Sequence, residues 1–134
     1  MGARIAAALL FGSLLVSAAV RADDDDRRAR QDYLLHCMGC HGEDGRGLAG
    51  KVPSLPDDLG RLLTSPRGRE FIQRVPGVTQ SDLPSARLAT VLNWIVRTFT
   101  PSGVAERTPP FTLAEVDRLR HQPLLDVAEE RPEL

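Results

Sequence analysis

The sequence predicts a small all-α fold with a C-terminal helical extension. Three observations lead there. No stretch of the 134 residues alternates apolar and polar residues as a strand would. The segment "ARLATVLNWIVRTF", 86–99, carries Leu88, Val91, Leu92, Ile95, Val96 and Phe99 at helical spacing. Glycine and proline cluster between the apolar runs, as connections between short helices.

The chain opens with "MGARIAAALLFGSLLVSAAVRA". Arg4 supplies a basic start, Ile5 to Leu15 an apolar core, and "VRA" a small-residue cleavage site, so residues 1–22 read as a signal peptide. The alternative is a retained anchor, but the apolar run from Ile5 to Val20 falls short of the ~20 residues that span a bilayer. Stable membrane insertion after cleavage is therefore not expected. The remaining chain reads as one domain over 23–99 and an extension over 100–134 with one short helix. Without Arg4 and Arg21, 15 basic and 18 acidic residues leave a net charge of about −3. No basic patch with interleaved aromatics suggests nucleic acid. So small a domain gains from a large apolar cofactor to fold around.

Taking the elements in order, a helix is expected at about 27–38, with Tyr33, Leu34 and Cys37 on one face and acidic residues at its N-terminal side. A loop rich in glycine comes next, then Pro53 and Pro56 as breakers. Short helices are expected at 57–63 and 65–75, and a loop at 76–85. The helix at 86–99 is the clearest, with Ser85 as its cap. Segment 100–111 reads as surface loop. Thr112 and Glu115 form a capping-box pattern for a last helix at about 113–121. The tail "DVAEERPEL" has few apolar anchors and is expected to fray.

The chemistry concentrates in "CMGCH", 37–41. Cys37 and Cys40 are the chain's two cysteines, and His41 follows at once. This is the C-x-x-C-H pattern of haem attachment: two thioether bonds from the cysteines and a ring nitrogen from the histidine to iron. Zinc is a weaker reading, because a structural site wants four ligands and only His121 is an obvious distant one. A redox dithiol would want C-x-x-C beside a βαβ pattern, and no strand is offered. A disulfide remains open for an exported pair. "GRGLAGKV", 45–52, nearly fits a phosphate loop, but Val52 replaces the required hydroxyl. It reads as a loop along the haem edge.

The motif and its flanks resemble the small, soluble, single-haem c-type cytochromes (class I-like) over roughly 27–99. The resemblance implies a cytochrome c-like helical domain around one covalent haem c (heme c), its N-terminal and C-terminal helices crossing near a right angle. It implies that Tyr33 and Trp94 are the aromatic pair at that crossing. It implies that the carbonyl of Pro53 receives the other N–H of His41, which would fix the tautomer and tune the iron. Cofactor-binding residues on this view are Cys37, Cys40, His41, Pro53, Tyr33 and Trp94, with His41 the proximal iron ligand.

The sequence departs from that family at the second axial ligand, usually a methionine followed by proline. Its methionines are Met1 and Met38; Val75-Pro76 stands where the pair belongs. The sixth position is open, water-filled or supplied from elsewhere. His121 is a candidate distal ligand, with a surface position at a helix end as the plain alternative. Lys51 is another donor if it loses its proton, and His36 points to the proximal side or to solvent. Bis-histidine ligation would lower the potential. The resemblance implies periplasmic electron transfer by Fe(II)/Fe(III) cycling between a donor and an acceptor redox protein, not catalysis. Two alternatives stay open: an electron-outlet subunit of a periplasmic dehydrogenase, and a haem protein whose open sixth site binds a small ligand.

Overall fold

The computed structural model describes residues 23–133; the expected signal peptide, 1–22, lies outside them. Helices account for the regular structure among the described residues, and the one β feature is an isolated bridge between Leu48 and Val52.

Helix α1 covers 23–36 of the described residues. It includes the acidic run expected to lie outside it. Arg27 explains why: its guanidinium pairs with Asp24 at 2.7 Å and Asp23 at 3.2 Å, the i,i+3 and i,i+4 neighbours. Ala29, Asp32 and Tyr33 form its buried face. The helix ends one residue before Cys37, and Met38–His41 form a separate turn, α2.

Three prolines stand in the first turns of helices here. Pro56 sits in the first turn of α3, Leu55–Leu62. Pro66 opens α4, Pro66–Arg74, where the hydroxyl of Ser65 accepts from the N–H of Gly68 at 3.0 Å. Pro76 opens α5, Pro76–Thr79, in a segment expected to be loop. A first-turn proline loses no intrahelical bond and arrives with its φ already set.

Helix α6, Ser85–Phe99, buries Leu88, Ala89, Val91, Leu92, Ile95, Val96 and Phe99. Ser85 lies just inside the helix and makes no cap; Pro84 precedes it, and the Ser85 hydroxyl donates to Asp117 at 2.7 Å. The expected surface loop at 100–111 contains α7, Ser102–Arg107, and ends on the buried Phe111. Asn93 holds Phe111 by a reciprocal pair: its amide donates to the Phe111 carbonyl at 2.9 Å and its oxygen accepts the Phe111 N–H at 2.7 Å.

Helix α8, Leu113–Arg120, begins as its sequence suggests, with Thr112 Oγ1 accepting from Glu115 N at 3.2 Å. The Glu115 carboxylate turns elsewhere. It accepts two bonds from Arg69, at 2.7 and 2.8 Å, and one from the buried Gln73 at 2.9 Å. Helix α8 thus packs Val116 and Leu119 inward while its first turn is tied to α4.

The described part of the tail, up to residue 133, is packed rather than frayed. Asp126 caps α9, Val127–Glu130, accepting from the N–H groups of Ala128 and Glu129. Leu124 is buried, and its N–H donates to the Arg74 carbonyl at 3.2 Å.

The Glu115 carboxyl is held below its ordinary range, first by the Arg69 hydrogen bonds and against the opposing effect of burial. A depressed folded pKa stabilises the fold above the unfolded value and loses that contribution as pH falls through the folded one. Glu115→Gln is expected to cost about 1–3 kcal/mol near neutral pH, the range for charged hydrogen bonds in a part-buried site. Denaturation across pH 7 to 3 checks this: the gap between wild type and variant closes on acidification. A gap independent of pH would show that the carboxylate charge contributes nothing.

Candidate cofactor site

The attachment turn is placed by one aromatic contact. Tyr33, on the buried face of α1, packs at 5.4 Å from the Trp94 ring and 5.3 Å from the Phe99 ring. Trp94 and Phe99 meet edge-on at 5.9 Å, so the three rings form one cluster between α1 and α6. The Tyr33 hydroxyl donates to the Gly42 carbonyl at 2.5 Å. That carbonyl immediately follows His41, so Tyr33 orients the end of the C-x-x-C-H turn. Burial and the negative charges of ionised Cys37 and Asp44 push the phenol up to about 12, so it remains a donor across the physiological range.

The loop after α2 brings Pro53 back to His41. The Gly47 N–H donates to the His41 carbonyl at 2.7 Å. At Gly47, φ is +69°, and a Cβ there would lie 2.4 Å from the Val52 oxygen and 2.7 Å from the Pro53 oxygen. Only glycine allows this approach. His41 Nδ1 is buried without a well-formed hydrogen bond, and the neighbouring acceptor is the Pro53 carbonyl. Burial lowers the imidazole pKa and the Pro53 carbonyl partly offsets it. His41 is therefore held toward the neutral form, with Nε2 left for a metal.

Cys37, Cys40, His41 and Pro53 all line one cleft, with about 1020 Å³ of empty space, part of it open to solvent. Its far wall is apolar: Leu59 and Leu62 from α3, Phe71 and Ile72 from α4, and Val91 and Ile95 from α6. Val75, Gly77 and Val78, the segment standing in place of a methionine ligand, line it as well. The two cysteines are free thiols. Burial, then the charges of Asp32 and Cys40, push the Cys37 thiol up to about 11. Redox-active C-x-x-C pairs need the opposite shift. No group of three or more His, Cys, Asp or Glu side chains comes together among the described residues, so the pair finds no zinc partners there. An apolar slot edged by two thiols and a neutral imidazole fits a covalently attached haem c.

The other sequence candidates fall elsewhere. Tyr33 and Trp94 do not line the cleft; they pack at the helix contact that positions it. His121 is exposed at the C-terminal end of α8 and is not a lining residue. Its place follows from register: Val116 and Leu119 point inward, and His121, two residues after Leu119, falls on the opposite side. Lys51 is exposed, and the 45–52 loop contributes no lining residue. His36 is exposed and borders the cleft beside Cys37.

Four participants are not evident from the sequence. Asp32 is buried and paired with Arg87. Phe111, Asp58 and Arg131 line the cleft. Only Asp32 has a local signal, one turn before the motif on the buried face of α1.

Tyr33→Phe removes the bond to the Gly42 carbonyl while keeping the ring cluster. Denaturant unfolding is expected to show a loss of about 1–2 kcal/mol, the range for a removed partner of a part-buried polar group. Unchanged stability would mean that the hydroxyl does not hold the turn.

The chain is similar to two proteins named cytochrome c-552 from Thermus thermophilus. One is 29% identical over 133 aligned residues, covering 86% of this chain and 87% of the relative. The other is 29% identical over 106 residues, covering 66% of this chain and 81% of the relative. No family model matches the chain. No solved structure matches it. The likeness to these relatives, with the helical fold of the described residues, supports a c-type cytochrome.

Proposed function

We propose that this protein carries single electrons through one haem c held in the cleft by Cys37, Cys40 and His41. The observation that carries the reading is the meeting of those three side chains in one largely apolar cleft. The similarity to the cytochrome c-552 relatives supports it. When bound, the haem supplies an iron that alternates between Fe(II) and Fe(III). The chain does the rest. Cys37 and Cys40 would hold the cofactor at one edge through thioether bonds. His41 would offer Nε2 to the iron, and the neighbouring Pro53 carbonyl would be the acceptor for its Nδ1–H. The aliphatic wall excludes water and stabilises a flat apolar ring.

No helix among the described residues is long and apolar enough to cross a membrane. Separately, the signal-like start of the sequence supports an exported carrier working in the periplasm between a redox donor and an acceptor. A periplasmic dehydrogenase is one class of donor, and transient docking over a small area suits such exchange.

The donor set of the cleft adds a second reading, an iron whose sixth position is open to a small neutral ligand. Outside the segment 36–41, the lining side chains offer no imidazole or thioether. They offer only the oxygens of Ser54, Asp58 and Ser81 and the Arg131 guanidinium, which has donors but no acceptor.

Two measurements test these readings. Cys40→Ala, produced with the haem-attachment machinery, is expected to lose one thioether bond and shift the reduced pyridine haemochrome band. An unchanged band would remove Cys40 from attachment, and a wild-type chain without covalent haem would remove the reading as a whole. Adding carbon monoxide to the reduced holoprotein is expected to shift its main optical band. A low-spin spectrum indifferent to carbon monoxide would leave the electron carrier and remove the open site.

A further inference from the structure

We infer that Arg131 binds a carboxylate of the haem, making the C-terminal tail a strap that closes the cofactor cleft. The inference rests on the haem reading under Proposed function. A haem c brings two carboxylate side chains into a largely apolar slot, and anions placed there need cations or water. Among the described residues Arg131 is the cleft's one Lys or Arg. Its guanidinium spans the rim: Nη2 donates to Asp58 Oδ2 at 2.8 Å, and the group lies 5.9 Å from the Phe71 ring centre. Asp58 and Phe71 are lining residues too. The Nε and Nη1 donors of Arg131 hydrogen-bond to no described residue, so the fork keeps the donors that a carboxylate takes up.

The tail that delivers Arg131 is built into the fold. The Glu130 carboxylate accepts from Leu125 N at 2.8 Å and pairs with Arg74 at 3.4 Å. Pro132, the next residue along, is buried. Arg131 is therefore held between two anchored residues, its side chain only 29% exposed. Asp58 does not depend on it alone, because Arg61 Nη2 also donates to Asp58 Oδ1 at 2.8 Å. Arg131 can engage a cofactor carboxylate without stranding that group. The competing role is a plain ion pair with Asp58 that pins the tail and leaves the cofactor untouched.

Redox titration of the holoprotein separates the two. A cation beside the haem favours the reduced iron, so Arg131→Gln is expected to lower the potential. A shift equal to a tenfold change in the Fe(II)/Fe(III) ratio, ~59 mV for one electron, is the scale to look for. Arg131→Lys keeps the charge and is expected to recover most of it, and Asp58→Asn is expected to move the potential upward. A folded, haem-loaded Arg131→Gln protein with the wild-type potential would overturn the inference. Should that variant fail to fold, Arg131→Met, which keeps the apolar stem over Phe71, gives the same reading, and an unchanged potential in both Arg131→Met and Asp58→Asn would also overturn it. Wild-type protein lacking covalent haem would sink the haem reading instead, so the two failures look different.

Discussion

The bond from the Tyr33 hydroxyl to the Gly42 carbonyl joins the core of this molecule to its chemistry. Tyr33 is buried because α1 needs an apolar face against α6, and its ring finds Trp94 and Phe99 there. Its hydroxyl cannot be buried unpaired. The carbonyl that satisfies it ends the C-x-x-C-H turn. The packing of two helices therefore fixes where Cys37, Cys40 and His41 emerge. Phe99 extends the constraint, because a Cβ at Gly45 would lie 2.8 Å from its ring. The loop is pressed onto the aromatic cluster, and from there it returns Pro53 to the imidazole.

The segment after Thr100 completes the cleft through polar clamps as well as apolar cover. Pro109 and Pro110 lack N–H groups but expose carbonyls, and Arg69 donates to both, at 2.7 and 3.1 Å. The same guanidinium lies 4.1 Å from the Phe111 ring centre and holds Glu115. One arginine of α4 thus orders the approach to α8 and sets Phe111, a residue of the cleft wall. Arg120 does similar work at the other end of α8, donating to the Leu83 carbonyl at 2.6 Å and to that of Ser81.

What is legible in the sequence is local. Helix α6 announces itself because seven buried positions repeat at the helical period over four turns. Helix α8 does so because Thr112 is a cap that needs only its own next residues. The spacing of Cys37, Cys40 and His41 is visible for the same reason. The short helices α5 and α7 escape the pattern because Pro76 and Pro101 look like breakers, although one opens its helix and the other immediately precedes it. The tail looks unanchored because its order comes from partners far along the chain, Arg74 for Glu130 and Asp58 for Arg131. His121 stands out in the sequence as the one distant imidazole, but the inward register of Val116 and Leu119 decides its direction.

The chemistry left open by C-x-x-C-H is narrowed by the environment rather than by the motif. A thiol becomes a redox nucleophile when neighbouring positive charge or a helix N-terminus lowers its pKa. Cys37 meets the reverse: it is half-buried, Asp32 and Cys40 repel its thiolate, and its pKa rises to about 11. The same burial acts on His41 with the opposite chemical result. Desolvation disfavours the imidazolium, and the neutral ring is the form that binds a metal. One largely apolar cleft therefore disfavours the thiolate at Cys37 and the imidazolium at His41. The largest cause of each effect is the withdrawal of water, which is also what a flat apolar cofactor requires of its site.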